Sequence, residues 1–306
     1  MSKKPVSKRV KNWLIYVFVL FIVRLFRSVS RMTAIKIMRF LSGLAYRLAN
    51  KEREKTIRHL TWAFGQEKTD EEIRRLSQQV FMNFAVAAVD AIRLPIIIRN
   101  GFDGLITVEK MHLLHQALAK GKGVILLTGH FGNWELLGAW LAQQGIPLKV
   151  VGRTAYDPRL DKMIVETRNN AGYTNIPRGK GTREIIRSLR QGYAIALLID
   201  QDTKVEGVFV NFFNRPAHTA TGPVILAKKF GSPILPVFIR LRRDLTYHAE
   251  FLPPVTLQDT GDEELDLIAN VQKCSDVYEM MIRQYPNQWA WMHERWKKQP
   301  ETAGVV

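Results

Sequence analysis

His130 and Glu135 are the residues whose types and spacing point most directly to chemistry. They stand five positions apart in Gly123 to Gly145, GVILLTGHFGNWELLGAWLAQQG. Each helical residue advances about 100°, so five positions separate two side chains by about 140° on an ideal helix. The pair therefore cannot share one helical face. It converges if His130 ends a strand and turn while Glu135 opens the following helix. A histidine oriented by a carboxylate is a general base able to take a proton from a hydroxyl, the carboxylate fixing the tautomer and stabilising the imidazolium. No serine or cysteine stands in a G-x-S-x-G elbow, which argues against a covalent acyl-enzyme and for direct action on a bound hydroxyl. The pair is not an H-E-x-x-H motif. His59, His112, His115, His218, His248 and His293 fall at no ligand spacing, so no metal is expected.

The elements that must position this pair follow from the pattern around it. Val124 to Leu127 is an apolar run bounded by glycine and Thr128, the signature of a buried strand, and the residues after Asn133 read as a helix. Beyond it strands and helices alternate. Strands are expected at Leu148 to Val151, Tyr193 to Ile199, Ile234 to Leu241 and Thr246 to Leu252, the last antiparallel. Helices are expected at Pro158 to Ala171, Thr182 to Arg190, Pro223 to Phe230 and Glu263 to Gln284. Such alternation predicts an α/β fold with a largely parallel central sheet flanked by helices, whose ligands gather at the carboxyl ends of strands. His130, Arg153 and Asp200 each follow a strand at once and so can face one crevice. No glycine-rich phosphate loop and no internal repeat is found.

Before Gly123 the chain reads as helical. Thr69 with Glu72 is a capping-box pair, and Ile73, Leu76, Val80, Phe81 and Phe84 form an apolar stripe that Pro95 ends. Asp90 and Arg93 read as surface or capping groups. The 306 residues carry a net charge of +17, and fifteen Lys and Arg up to Arg58 face two acids there, Glu52 and Glu54, so +13 lies in the first fifth. Lys3, Lys4, Lys8, Arg9 and Lys11 precede an apolar run of 11 residues, Trp13 to Val23, which is short of the roughly 20 that span a bilayer. Arg24, Arg27 and Arg31 follow where a cleaved signal would need small residues. Ile35, Met38, Leu41, Ala45 and Leu48 recur at helical spacing among Lys36, Arg39 and Arg47. A basic amphipathic helix of this kind suits an anionic lipid surface. No helix-turn-helix, zinc or RNP pattern accompanies the charge, so nucleic acid is not an expected partner. The lone cysteine, Cys274, excludes an intramolecular disulfide.

The expected organisation is a basic membrane-anchoring segment at 1–50, a catalytic domain at 51–300 and a tail at 301–306. Within the domain, 51–120 is a helical lead-in and 121–300 the α/β core.

The ordered set of motifs resembles the late acyltransferases of lipid A biosynthesis, the lauroyl/myristoyl type, within the lysophospholipid acyltransferase group. His130-Phe131-Gly132-Asn133-Trp134-Glu135 is similar to the family's His, four residues, acidic motif. Arg168 with Gly172, the strand end Asp200-Gln201-Asp202, and Phe209 to Phe213 with Ala217 to Gly222 are similar to its later segments. So is the tryptophan-rich run Pro286 to Trp296, and Arg53 to Phe64 also fits. Two departures are Asn214, where a glycine is expected, and the short, charged N-terminal run.

The resemblance implies transfer of a fatty acyl group from an acyl carrier protein thioester to a hydroxyl of a membrane glycolipid, a lipid A precursor. It implies no cofactor, and the inner membrane as location with the catalytic domain on its cytoplasmic face. His130 and Glu135 would be catalytic. Arg168 and Arg153 would meet phosphates, Asp200 would orient an arginine or cap a strand end, and backbone amides near Gly132 and Asn133 would stabilise the oxyanion. Other readings are a different acceptor (a lysophospholipid, an ornithine lipid or a mannosylated inositol lipid, with coenzyme A as the alternative donor carrier) and a non-catalytic lipid-binding protein of the same fold. Trp289, Trp291 and Trp296 suit either a lipid boundary or the core.

Overall fold

The structure, a computed structural model, describes residues 6–179 and 181–300, with side chains from residue 10. Lys3, Lys4, the side chains of Lys8 and Arg9, and the tail at 301–306 lie outside the described residues.

Five helices come first: α1 (Val6–Ser28), α2 (Arg31–Leu48), α3 (Asn50–Phe64), α4 (Asp70–Ile92) and α5 (Leu94–Asn100). The Thr69–Glu72 capping box is formed at the start of α4, each partner satisfying a backbone donor that the first turn leaves open. The α/β part then runs β1 (Ile106–Glu109), α6 (His112–Leu118), β2 (Val124–Thr128), α7 (Trp134–Gln143), β3 (Leu148–Gly152), α8 (Pro158–Asn170), β4 (Thr174–Pro177), α9 (Thr182–Arg190) and β5 (Ala194–Leu198). After it come the hairpin β6 (Gly207–Phe212) and β7 (Arg215–Ala220), then α10 (Gly222–Phe230), β8 (Ile234–Leu241), β9 (Tyr247–Phe251) and α11 (Glu263–Gln284).

Seven strands form one sheet in the order β1-β9-β8-β2-β5-β3-β4. The five from β8 to β4 are mutually parallel, and β9 runs antiparallel to β8 as the sequence suggests. Strands β1 and β4 are not among the sequence expectations. Each is four residues long and only half-buried, so neither shows a continuous apolar run.

The central strands are buried on both faces, and successive side chains enter opposite cores because they point to opposite sides of the sheet. Ile125, Leu127, Ile195 and Leu197 enter a core shared with α3, α4, α10 and α11. Leu126, Ala194 and Ala196 enter the opposite core with α5, α6 and α7. Trp289, Trp291 and Trp296 are 1%, 0% and 5% exposed, so of the two expected settings the core is the one they occupy.

The turn joining β6 to β7 places Phe213 and Asn214 at φ of +52° and +56°. Asparagine is among the few non-glycine residues that tolerate this region, so Asn214 serves where a glycine was expected. Phe213 is held there by its N–H donating to Glu279 Oε2 at 2.7 Å and by ring contacts with Phe64 and Trp291.

The N-terminal helices are joined to the rest by buried polar bonds. Arg31 forks onto Asp90 of α4, Nε to Oδ1 and Nη2 to Oδ2 at 2.7 Å each, and Nη2 also reaches the Leu245 carbonyl. Tyr247 Oη donates to the same carboxylate at 2.8 Å. Arg93 donates to the carbonyls of Phe26 and Val29. Asp90 and Arg93 are therefore buried joints rather than surface groups, at 0% and 8% exposure, because α1 and α2 fold back over α4 and cover them.

No single helix among the described residues is long and apolar enough to cross a membrane. The pair α4 and α5, bent by 64°, meets the length and composition together, but α4 sends Ile73, Leu76, Val80, Val86 and Val89 into the cores.

Candidate active site

Register brings the first two site residues together. Thr128 of β2 pairs with Leu198 of β5 in a parallel ladder, so two residues further on His130 emerges beside Asp200. Asp200 is 1% exposed and holds the histidine twice. Its Oδ2 accepts the His130 main-chain N–H at 2.7 Å and its Oδ1 faces the ring Nδ1 at 2.9 Å. Trp289 Nε1 donates to Oδ2 at 2.8 Å. A carboxylate can only accept, so Nδ1 carries a proton, and in the neutral ring the lone pair is on Nε2. Burial alone would raise the Asp200 carboxyl. The adjacent His130 and the hydrogen bonds from its ring, from Trp289 and from the His130 backbone outweigh that and hold it below its ordinary value.

The carboxylate on the histidine is thus Asp200, where Glu135 was expected. Glu135 does sit in the first turn of α7, but its oxygens are engaged elsewhere. Arg168 of α8 forks onto it, Nε to Oε2 at 3.0 Å and Nη2 to Oε1, and Tyr173 Oη donates to Oε2 at 2.8 Å. The physical reason is local: α7 begins only at Trp134, so no helical phase ties Glu135 to His130, and the first turn directs Glu135 toward α8, where an otherwise uncompensated guanidinium needs it. Burial raises the Glu135 carboxyl, but Arg168 and Tyr173 more than offset this and leave it lowered.

Arg168 also donates to Asn175 Oδ1 at 2.7 Å, so the fork expected to meet a phosphate is occupied within the protein. Gly132 differs from expectation too. Its N–H is donated to the Gln288 carbonyl at 2.8 Å, which removes it as an oxyanion donor. This glycine has φ +57°, and a Cβ there would stand 1.8 Å from the Ile239 carbonyl oxygen, so the turn lies flat on β8. Asn133 caps α7 by accepting the Leu136 N–H at 3.1 Å, and its own main-chain N–H has no partner among the described residues. Arg153 is exposed at the end of β3.

A cavity of about 1440 Å³ opens at the carboxyl ends of β2, β5, β3 and β4 and is lined by His130, Glu135, Arg153 and Arg168. It exceeds the roughly 300–1,000 Å³ of common small-molecule pockets. Its inner wall is apolar, with Leu126, Leu137, Leu141, Leu148, Val150 and Ala196. Sequence reasoning missed three aromatic members of the site. The rings of Trp134 and His293 lie 5.1 Å and 5.4 Å from that of His130, and Tyr173 anchors Glu135. The His293 imidazole is pushed down to about 4 by burial and by the neighbouring His130. Trp134 opens α7 and Tyr173 follows α8, while His293 reaches the site only because the chain returns from α11. The returning segment is pinned by Ala290 N–H to the His130 carbonyl at 3.0 Å.

Glu109, His248 and Glu250 on β1 and β9 bring ligand-type atoms within 4.8 Å of one another. Arg242 donates to His248 Nδ1 at 2.8 Å, which leaves the proton on the Nε2 that faces Glu109, and Lys110 pairs with Glu250. Those contacts suit an ion-pair cluster better than a cation site.

Comparison with known proteins gives a consistent picture. The family described as bacterial lipid A biosynthesis acyltransferase matches residues 1–298. A phosphatidylinositol mannoside acyltransferase of Mycolicibacterium smegmatis is 27% identical over 263 residues, 84% of this chain and 84% of that protein. A lipid A biosynthesis lauroyltransferase of Escherichia coli is 27% identical over 194 residues, 62% of this chain and 61% of that one. A palmitoleoyltransferase of lipid A biosynthesis from the same organism is 26% identical over 208 residues, 66% of this chain and 64% of that protein.

Proposed function

Because the chain belongs to the bacterial lipid A biosynthesis acyltransferase family and is an acyltransferase, we propose that it moves a fatty acyl chain from an acyl carrier protein thioester to a hydroxyl of a lipid A precursor. The observation that carries the reaction type is the Asp200–His130 pair at the mouth of a cavity with an apolar inner wall.

In this reading His130 Nε2 takes the proton of the acceptor hydroxyl as its oxygen attacks the thioester carbonyl. The tetrahedral intermediate collapses with cleavage of the carbon–sulfur bond, and the imidazolium returns the proton to the leaving thiolate. Asp200 keeps the proton on Nδ1 and stabilises the transient positive charge. The unpartnered main-chain N–H of Asn133 and the N-terminus of α7 are suited to the oxyanion. Glu135 acts through Arg168, holding the start of α7 against α8 beside the acyl path. No metal or cofactor enters these steps.

The protein works at a membrane surface in this proposal, with the catalytic domain on the cytoplasmic face of the inner membrane. Supporting it are exposed apolar stripes on both N-terminal helices: Trp13, Leu14, Phe18 and Phe21 on α1, and Phe40, Leu41, Leu44 and Leu48 on α2. Lys36, Arg39 and Arg47 flank the second stripe, a combination that seats a helix in an anionic interface. The same basic surface attracts an acidic carrier protein.

A mannosylated inositol lipid as acceptor is the second reading, favoured by the 263-residue match to an enzyme named for that acceptor. The deciding experiment supplies purified protein with labelled acyl-carrier-protein or acyl-coenzyme-A thioester and either acceptor in mixed micelles. Label on the lipid A precursor, lost in His130→Ala, is the expected result. Label only on the inositol lipid would favour the second reading, and full turnover by a folded His130→Ala protein would overturn the mechanism.

A further inference from the structure

The cavity has a second chemical feature, an uncompensated positive charge at its mouth. Three guanidinium groups line it: Arg153, Arg168 and Arg178. Arg168 is neutralised by Glu135. The other two have no carboxylate partner among the described residues, although the surrounding elements pair their cations closely, as in Lys149–Glu184, Arg159–Asp157 and Arg187–Glu184. Of the other acids lining the cavity, Asp161 spends one oxygen on the Ala155 N–H at 2.6 Å, Asp202 pairs with Lys298, and Glu206 is exposed on the segment that precedes β6.

Backbone geometry places the two free arginines together. Gly152 pairs with Pro177 in the parallel β3–β4 ladder, and Arg178 N–H donates to the Gly152 carbonyl at 3.0 Å. Arg153 and Arg178 are therefore the next residues on neighbouring strands, both exposed. Strand β3 also records the polarity of the expected occupant. Leu148 and Val150 line the cavity's apolar depth, and the strand ends at half-buried Gly152 with exposed Arg153 just beyond it.

We propose that Arg153 and Arg178 form a phosphate clamp at the cavity mouth, taking the phosphate ester of an amphiphile whose aliphatic part lies against Leu148 and Val150. Two adjacent guanidinium forks match phosphate oxygens, and charge-assisted bonds of this type are the strong ones. The phosphate comes either from a lipid headgroup or from the phosphopantetheine-type arm of a thioester donor. The assignment rests on the cavity being the substrate site of the proposed function, and two independent measurements separate them.

The first measurement needs no turnover. Binding of octyl phosphate and of octanol is compared, both below micelle formation, on the full-length protein. Wild type is expected to prefer octyl phosphate by about tenfold or more, since one charge-assisted hydrogen bond is worth at least about 1.4 kcal/mol. The preference falls to about twofold or less in Arg153→Gln/Arg178→Gln. It survives in Lys204→Gln/Lys297→Gln, which removes two other cations of the cavity lining. A preference that persists in the arginine variant, or vanishes only in the lysine variant, overturns the clamp.

The second measurement assigns the source by kinetics with an acyl carrier protein donor and with a phosphate-free acyl-N-acetylcysteamine thioester. A raised KM for the carrier donor alone supports the donor arm as the ligand, and a raised acceptor KM with both donors supports the lipid headgroup. An unchanged KM for all three overturns the assignment. Absence of turnover in wild type would count against the proposed function while leaving the binding result to stand or fall by itself.

Discussion

Asp200 binds His130 at two points, the main-chain N–H at 2.7 Å and the ring Nδ1 at 2.9 Å, so one carboxylate sets both the position of the turn and the tautomer of the imidazole. A residue that fixed only the tautomer would leave the ring free to swing with its loop.

Replacement of Asp200 by Asn tests this arrangement. An asparagine oxygen can still accept the His130 N–H, but the amide nitrogen would donate to Nδ1 and move the ring proton to Nε2. Turnover is expected to fall about 10²- to 10⁴-fold with little change in acceptor binding. Steady-state rates with circular dichroism as a folding control decide it, and a loss under tenfold would reject the role.

Glu135 and Arg168 are expected to behave as a coupled pair. Their side chains are 23% and 16% exposed, so removing either leaves a charge that water only partly reaches. Glu135→Gln or Arg168→Gln alone should destabilise the protein by about 2–3 kcal/mol, discounted from the range for fully buried pairs. The double replacement should cost less than the sum of the two. Urea unfolding of the four proteins supplies the cycle, and strict additivity would refute the coupling.

His293 should leave its mark on acid stability. Its folded-state value is lowered to about 4, against about 6.5 for an unfolded histidine. Between these values the unfolded chain binds a proton that the folded one refuses, so stability declines as pH falls from 6.5 toward 4. The melting temperature of His293→Gln should decline less steeply over that window. Asp200, lowered instead, acts in a lower window: its contribution is present above about pH 4 and is lost as pH falls through its folded value.

Gly132 and Asn214 offer a contrast between two positions at positive φ. Gly132→Ala drives a Cβ to 1.8 Å from the Ile239 oxygen and should abolish activity through displacement of the His130 turn, at a cost of more than about 3 kcal/mol. Asn214→Ala sits on a hairpin tip and should cost only about 1 kcal/mol with activity retained. Thermal melts and rates measured side by side check both.

The strands and helices that carry the site are legible from local pattern, because Val124 to Leu127 and Tyr193 to Ile199 are unbroken apolar runs and Thr69 and Glu72 form a recognisable cap. His130, Arg153 and Asp200 are legible as strand-end residues for the same reason. Their partners are not. That β2 lies next to β5, and so Asp200 next to His130, depends on strand order, which no window of sequence encodes. The engagement of Arg168 by Glu135, and of the Gly132 N–H by Gln288, depends likewise on contacts across 33 and 156 positions. Arg178 escaped notice because β4 is short and half-buried.

The Arg31–Asp90–Tyr247 joint bears on how this enzyme can be handled. Cutting the chain before α3 would not release a free-standing catalytic body. It would strip a fully buried aspartate of its guanidinium, open the cluster of Val86 and Val89, and leave Tyr247 as the carboxylate's remaining side-chain partner. The first two helices are thus less a detachable tether than the lid stone of the fold. Shortened versions designed for solubility should aggregate, whereas exchanging only the outward Phe18, Phe40 and Leu44 for polar residues should yield a soluble protein with its joint intact.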